Sequence, residues 1–365
     1  MAWSEQQEAA IRAVQAWTKT LSGPQVFYLA GYAGTGKSTI ARELAQGVRG
    51  KVLYGAFTGK AALVMQTKGC AGAATLHSMI YRLEDESRGS PRFVLNPDAP
   101  LKDAALLVVD EVSMVDEQIG RDLLSFGVKI LVIGDPAQLP PVKGEGFFTA
   151  RAPDVMLTEV HRQAADNPII RMSMDVREGR RLERGQYGDS QVVHRSEIDA
   201  AAVTAADQVL VGKNVTRHLY NRRIRELLGH EGVTPLVGER LVCLRNRREK
   251  GLLNGGIWTV VEVLAGTPAT VSLRIQSEDS GPARKPVKVS IHRAFFEGQE
   301  NEVPWEERRG LAEMTFGYAL TVHKSQGSQW NRVVVFDESA AFRENRREWL
   351  YTAITRAAHA VTIVQ

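Results

Sequence analysis

Gly31-Tyr32-Ala33-Gly34-Thr35-Gly36-Lys37-Ser38-Thr39 follows an apolar run, Val26-Phe27-Tyr28-Leu29-Ala30, and precedes a helix-prone segment, Ile40-Ala41-Arg42-Glu43-Leu44. Strand, glycine loop, helix is the order that a phosphate-cradling P-loop needs. Glycines let successive backbone N–H groups turn inward around phosphate oxygens, at a helix N-terminus whose dipole favours an anion. Gly34, Thr35, Gly36, Lys37, Ser38 and Thr39 are therefore the candidate nucleotide contacts. Lys37 is placed to reach the β- and γ-phosphates of ATP, and the Ser38 hydroxyl to ligate Mg²⁺.

Outward from the loop, the chain alternates apolar runs with helical patterns. Leu106-Leu107-Val108-Val109 ends in Asp110-Glu111, and Ile130-Leu131-Val132-Ile133-Gly134 ends in Asp135. Val333-Val334-Val335-Phe336 and Val361-Thr362-Ile363-Val364 repeat the pattern near the C-terminus. Continuous apolar runs mark strands buried on both faces of a parallel sheet, so a doubly wound α/β architecture is expected. Ser4 is a good N-cap for an amphipathic helix carrying Ala10, Ile11, Val14 and Trp17, with Gln7 just inside it.

The acids at a strand end allow a division of labour. Asp110 completes a Mg²⁺ shell while Glu111 polarises the attacking water. Gln138, in Gly134-Asp135-Pro136-Ala137-Gln138-Leu139-Pro140-Pro141, also follows a strand end, where it could sense the γ-phosphate. Arg162 and Arg356 are candidate cations for the phosphoryl transition state.

Lysines and arginines number 46 against 42 acids, a net charge of +4 that permits a nucleic-acid partner without demonstrating one. Cys70 and Cys243 are the only cysteines, too few for a disulfide framework or a cysteine-based zinc site. With neither a signal peptide at Met1-Ala2-Trp3-Ser4 nor a bilayer-spanning apolar run, a soluble cytoplasmic protein without membrane contact is expected.

Two stretches leave the α/β pattern. Residues 82–102 are charged and rich in Gly and Pro around Phe93-Val94-Leu95, which reads as a hairpin excursion. Residues 239–295 hold four strand-like runs separated by turns such as Asn254-Gly255-Gly256, which reads as a small inserted β-barrel. Arg217, Arg222, Arg223 and Arg225 form a basic cluster with the pattern of a solvated helix face.

The ordered motifs resemble those of a superfamily 1 helicase of the RecD-like, Dda-like 5′→3′ branch. Trp3 to Gln7 resembles the Q motif, Gly31 to Thr39 motif I, Ala56 to Ala62 motif Ia, and Thr75-Leu76-His77-Ser78 motif Ib. Asp110-Glu111 resembles motif II, Gly134 to Pro141 motif III, and Thr158 to Gln163 motif IV. Ala319 to Ser328, with His323-Lys324-Ser325-Gln326-Gly327, resembles motif V, and Tyr351 to Ala357 motif VI. Trp3, Phe57 and Glu239 depart from the usual aliphatic residue, proline and aspartate of that branch.

The resemblance implies two RecA-like P-loop lobes: 1A over residues 1–155, with a pin or 1B insertion at 79–103, and 2A over 156–365, with an SH3-like β-barrel, 2B, at about 233–312. It implies that Gln7 reads adenine, that Gly327 lies at the nucleotide, and that Arg162 and Arg356 act as fingers. Thr58, Lys60, Thr75, His77, His323 and Lys324 would line a single-stranded DNA path, with Phe93 on a wedge at single-strand/double-strand junctions. The activity implied is ATP-driven 5′→3′ translocation and DNA unwinding by a monomer serving replication or repair proteins. Alternatives are an RNA helicase or RNP remodeller, a P-loop small-molecule kinase, and an inactive DNA-binding subunit. The kinase explains neither the His323-to-Gly327 segment nor a second RecA-like lobe, and intact Lys37, Asp110, Glu111, Gln138 and Arg356 argue against the inactive subunit.

Overall fold

A computed structural model describes residues 3–20, 22–83, 93–142, 144–159, 166–279 and 285–365. The chain forms two compact units, one of Met1–Glu183, Gln326–Ser328 and Phe342–Arg356, the other of Arg184–Ser325, Gln329–Ala341 and Ala357–Gln365. The main division falls at Glu183/Arg184 rather than at 155/156, because the helix Pro168–Arg177 packs on the helix Arg346–Ile354.

In the first unit six parallel strands lie in the order β3-β2-β6-β7-β1-β8: Ala74–Thr75, Val52–Ala56, Leu106–Asp110, Lys129–Gly134, Val26–Gly31 and Val155–Leu157. The period of two sorts each apolar run onto two faces. Phe27, Leu29, Leu106, Val108, Leu131 and Ile133 pack under the helices Glu5–Lys19, Lys37–Leu44 and Gly59–Thr67. Tyr28, Ala30, Leu107, Val109, Ile130 and Val132 face the opposite core with Leu76, Ile80, Ile119 and Leu123. Both faces are covered, which is why these strands read as unbroken apolar runs. The excursion forms a two-stranded antiparallel pair, β4 (Tyr81–Leu83) with β5 (Phe93–Leu95).

In the second unit one sheet has the order β17-β11-β18-β19-β10-β9, formed by Ala319–Thr321, Gln208–Val211, Trp330–Phe336, Ala357–Val364, Ser190–Val193 and Gly185–Tyr187. All its pairings are parallel except β9 with β10. The four runs of residues 239–295 become β12 (Arg240–Cys243), β13 (Ile257–Leu264), β14 (Thr270–Ser277) and β15 (Val287–His292). With β16 (Met314–Phe316) they make an antiparallel sheet, β15-β14-β13-β12-β16, around Trp258, Leu273, Ile275 and Ile291.

Glu239, just before β12, is wholly buried. Its carboxylate takes Arg225 Nε and Nη2 at 2.7 and 2.9 Å, the Leu236 N–H at 2.8 Å and the Tyr318 hydroxyl at 3.2 Å, and lies 2.9 Å from His230 Nδ1. Burial opposes its charge, but the Arg225 hydrogen bonds and the Leu236 N–H outweigh it and hold the carboxyl below its ordinary range. Arg217 is also buried, on Glu300. The expected basic helix face is thus corrected: only Arg222 and Arg223 of the four point outward, because Arg217 and Arg225 are counter-ions of internal carboxylates.

Candidate active site

The P-loop has the backbone its sequence requires. Gly34 and Gly36 take φ of 81° and 78°, a region that a side chain disfavours. At Gly31 an added Cβ would lie 2.7 Å from Thr35 Oγ1 and 2.9 Å from Leu157 Cβ, so the loop closes only over glycine. Gly36 starts the helix Lys37–Leu44 with no side-chain cap, leaving the first-turn N–H groups to an anion. The exposed Thr39 sits in that turn.

Ser4 and Gln7 form a capping box, with Gln7 N 3.3 Å from Ser4 Oγ and Ser4 N 3.1 Å from Gln7 Oε1. Gln7 Nε2 then donates to Thr35 O at 3.1 Å. The glutamine, buried in this arrangement, braces the P-loop from its own helix cap.

Acids gather at the strand ends. Asp110 closes β6 and is hydrogen-bonded to the Ser38 hydroxyl, while its Oδ1 accepts the Glu111 N–H at 2.9 Å. Burial first, and then the Glu111 charge, push the Asp110 carboxyl up. Two hard oxygen donors side by side, one of them a carboxylate short of compensating charge, fit Mg²⁺. Glu111 has φ 53°, one of two described non-glycine residues at positive φ, a conformation that turns its side chain away from the strand direction at a cost in strain.

Asp135 closes β7 as Asp110 closes β6. Burial raises its pKa above the ordinary range; Lys37 and the Tyr351 hydroxyl act in the opposite direction. Lys37 Nζ lies 3.7 Å from Asp135 Oδ2 and donates to Tyr32 O at 2.8 Å. The Tyr351 hydroxyl donates to Asp135 Oδ2 at 2.7 Å and accepts the Ala33 N–H at 2.8 Å. Thr352 Oγ1 accepts the Leu139 N–H at 2.8 Å, and Gln326 Nε2 donates to Leu139 O at 2.8 Å. The Asp135-to-Leu139 turn is thereby tied to segments 187 to 216 residues further along the chain. Gln138 is nearly buried, with its Oε1 3.4 Å from Ser113 Oγ.

Arg356, also nearly buried, donates to Thr352 O at 3.1 Å, Ser328 O at 3.2 Å and Thr355 Oγ1 at 3.3 Å. Arg162 lies outside the described residues. Gly327, at φ 76°, backs onto the start of the helix Gly59–Thr67: an added Cβ would meet Ala61 Cβ at 2.9 Å and Thr58 Oγ1 at 3.1 Å. Sequence reasoning passed over Asp135 and Arg177. Asp135 carries the same strand-end signal as Asp110; Arg177, whose guanidinium sits 3.7 Å from the Tyr32 ring centroid, has no sequence signal.

The candidate strand residues of the first unit sit at helix starts and on an aromatic group. Thr58 caps its helix through the Ala61 N–H, and Lys60 and Thr75 are largely buried. His77 lies 5.9 Å from Phe57, 5.5 Å from Tyr81 and 6.4 Å from Phe93 between ring centroids, so Phe57 is one wall of an aromatic row. Burial holds the His77 pKa below its usual value, favouring the neutral ring. In the second unit His323 and Lys324 are half-buried on the short helix Val322–Ser325.

Comparison with known proteins bears on the family. Residues 2–197 match the AAA domain family, and residues 316–364 match the UvrD-like helicase C-terminal domain. The chain belongs to the AAA domain family. It is 31% identical to the ATP-dependent RecD2 DNA helicase of Deinococcus radiodurans over 92% of this chain and 46% of that protein. Its fold is similar to Pif1 helicase from Candida albicans, with TM-score 0.60 and 17% identity over 100% of this chain and 94% of that one. It is also similar to Bacteroides Pif1 bound to ssDNA, with TM-score 0.59 and 18% identity over 99% and 92%. The chain spans about half the length, or less, of the curated relatives it first matches. Among the described residues no helix is long and apolar enough to cross a membrane.

Proposed function

We propose that the chain is an ATP-dependent 5′→3′ single-stranded DNA translocase and helicase that couples Mg²⁺-dependent ATP hydrolysis to duplex unwinding. The observation carrying this reading is the Asp135-to-Leu139 turn, tied to the P-loop by Tyr351 and to the later motifs by Thr352 and Gln326. A P-loop kinase needs no such tie between its phosphate loop and the distant Gln326 and Tyr351–Thr352 segments. A motor does, because phosphate chemistry must be felt by the residues that hold the strand.

On this reading Gly34, Thr35, Gly36, Lys37, Ser38 and Thr39 cradle the phosphates, and Gln7 keeps that loop in shape. Ser38 and Asp110 hold Mg²⁺, which neutralises charge on the phosphates when bound. Glu111 orients and polarises water, Gln138 senses the γ-phosphate, and Arg162 and Arg356 stabilise the developing charge. Thr58, Lys60, Thr75, His77, His323 and Lys324 hold the strand through its phosphates, and Phe93 stands at the junction. The antiparallel sheet β12–β16 is read as the SH3-like 2B insertion, and β4–β5 as the pin.

The deciding experiment is unwinding of matched duplexes carrying 5′ or 3′ single-stranded tails, in ATP and Mg²⁺, with RNA duplexes in parallel. Unwinding only of the 5′-tailed DNA is expected. Equal use of both tails, or preference for RNA, overturns the assignment.

A further inference from the structure

A cavity of about 360 Å³ in the second unit is lined by Arg217, His218, Glu300, Arg308, Glu313 and Lys324 among others. Arg217, from the helix Asn214–Leu227, is 1% exposed. Among the described residues only its Nη2 is engaged, 2.9 Å from Glu300 Oε1 and 2.9 Å from His218 Nε2, and Nε and Nη1 are buried without a partner. Glu300 Oε2 is likewise buried and, among the described residues, unpartnered. An arginine fork facing a carboxylate ordinarily makes two parallel bonds, and this pair makes one. A buried donor left unmade is costly, and two on a single guanidinium are exceptional.

The other charges leave a cationic surplus. Glu313 is already engaged by Arg245 Nη1 at 3.0 Å and Arg308 Nη1 at 3.8 Å. Arg308 donates further to the carbonyls of Val303 and Glu300. Lys324 has no ion pair among the described residues. Burial first and the nearby Arg217 charge second pull its pKa down to about 8, more than Glu300 and Cys243 raise it. Arg217 and Lys324 are thus two under-compensated cations on one cavity, and Glu300 is a carboxylate that meets half of one of them.

We propose that this cavity seats a phosphate group of the bound single strand, and that Glu300 occupies the seat as a competing carboxylate. A tetrahedral phosphate offers more oxygens than a carboxylate, enough to satisfy Arg217 Nε and Nη1 together with Lys324. The strand is chosen over free phosphate because Lys324 adjoins His323 in the segment read as strand-holding; the proposal rests on that reading.

The test uses the full chain and a fluorescein-labelled oligothymidylate, measured by anisotropy across a salt series, with melting temperature as the folding control. Glu300→Gln keeps the side-chain shape and removes the competing charge; it is expected to tighten binding roughly tenfold, as loss of one opposing charge at a phosphate contact allows. Lys324→Met should weaken binding and reduce the log–log salt slope by about 0.7, the value for one phosphate contact on a single strand. Lys324→Arg should restore the slope. If wild type binds the oligonucleotide and neither Glu300→Gln nor Lys324→Met changes affinity or slope, the pocket assignment is overturned together with the strand role of Lys324, while ATP-driven translocation along the strand still stands. If wild type binds no strand at all, it is the motor reading that fails. Inorganic phosphate separates the two sources: a phosphate-dependent rise in melting temperature that Lys324→Met abolishes, with oligonucleotide binding unmoved, assigns the cavity to a free anion and overturns the strand proposal.

Discussion

The Tyr351 hydroxyl bridges Asp135 Oδ2, at 2.7 Å, to the P-loop N–H of Ala33, at 2.8 Å. Tyr351 is 1% exposed, so Tyr351→Phe keeps the packing and deletes only the bridge. Leaving one buried donor and one buried acceptor short should lower stability by about 1–3 kcal/mol. ATP turnover should fall on the order of tenfold, about 1.4 kcal/mol in the barrier. Calorimetry and steady-state kinetics check both; unchanged melting temperature and turnover would show that the bridge is idle.

Lys37 and Glu111 separate binding from chemistry. Lys37→Ala should abolish turnover and leave single-strand affinity largely intact, since its ammonium lies against Tyr32 O and Asp135 and serves the phosphates. Glu111→Gln should bind nucleotide and hydrolyse it slowly, because Asp110 and Ser38 remain. Glu111→Gly adds a test of strain: relief of the positive φ should hold the melting temperature at or above wild type while turnover is lost. Turnover within a few-fold of wild type for any of the three refutes that residue's role.

Arg356 is held by three acceptors, so alanine would confuse lost packing with lost chemistry. Arg356→Lys keeps the charge and loses the planar fork. DNA-stimulated turnover should drop more than ATP affinity, because a finger acts on charge that develops in the transition state. A loss confined to a raised ATP dissociation constant sinks the assignment.

The buried parallel strands of the first unit follow from apolar runs that alternate between two covered faces, and those runs are continuous in sequence. The P-loop, the strand end at Asp110, Ser38 and the Ser4 N-cap are legible for the same reason: each is local. Three features are not. Tyr351 and Asp135 are 216 residues apart and meet only through tertiary packing. Arg217 and Arg225 look like surface charges until the carboxylates of Glu300 and Glu239, distant in sequence, are brought to them. Arg177 reaches Tyr32 only because its helix packs on Arg346–Ile354.

Lys324 gives a pH signature with a definite sign. Its pKa in the folded chain, about 8, lies below the ordinary 10.5, with burial first and Arg217 second as causes, opposed by Glu300 and the buried Cys243. Between those values the unfolded chain binds more protons, so this group's contribution to stability improves as pH rises. Lys324→Met should therefore raise the melting temperature near pH 7, and its advantage over wild type should shrink as pH passes about 8 to 10. A pH-independent difference contradicts the buried, under-compensated ammonium.

Phe93 carries the last prediction. It begins β5, opposite Leu83 in the antiparallel pair, and is 52% exposed, which is unusual for a large aromatic. Its ring stands edge-on to His77 at 6.4 Å, at the end of the row that runs through His77 to Phe57. Packing against the sheet would explain a buried phenylalanine; it does not explain one left half in solvent beside a histidine proposed to touch the strand. A motor that moves along one strand needs a separate element to block the other, and an exposed ring can stack on the last base pair, at ~1–3 kcal/mol per base in single-strand sites. Phe93→Ala should therefore leave the melting temperature and single-strand-stimulated ATP turnover near wild type while unwinding of a 5′-tailed fork slows several-fold. Phe93→Trp, which keeps a flat face, should restore unwinding. If Phe93→Ala unwinds at the wild-type rate, the wedge lies elsewhere in the chain; if it loses stability and turnover together, the ring belongs to the core and the pin reading of β4–β5 is wrong.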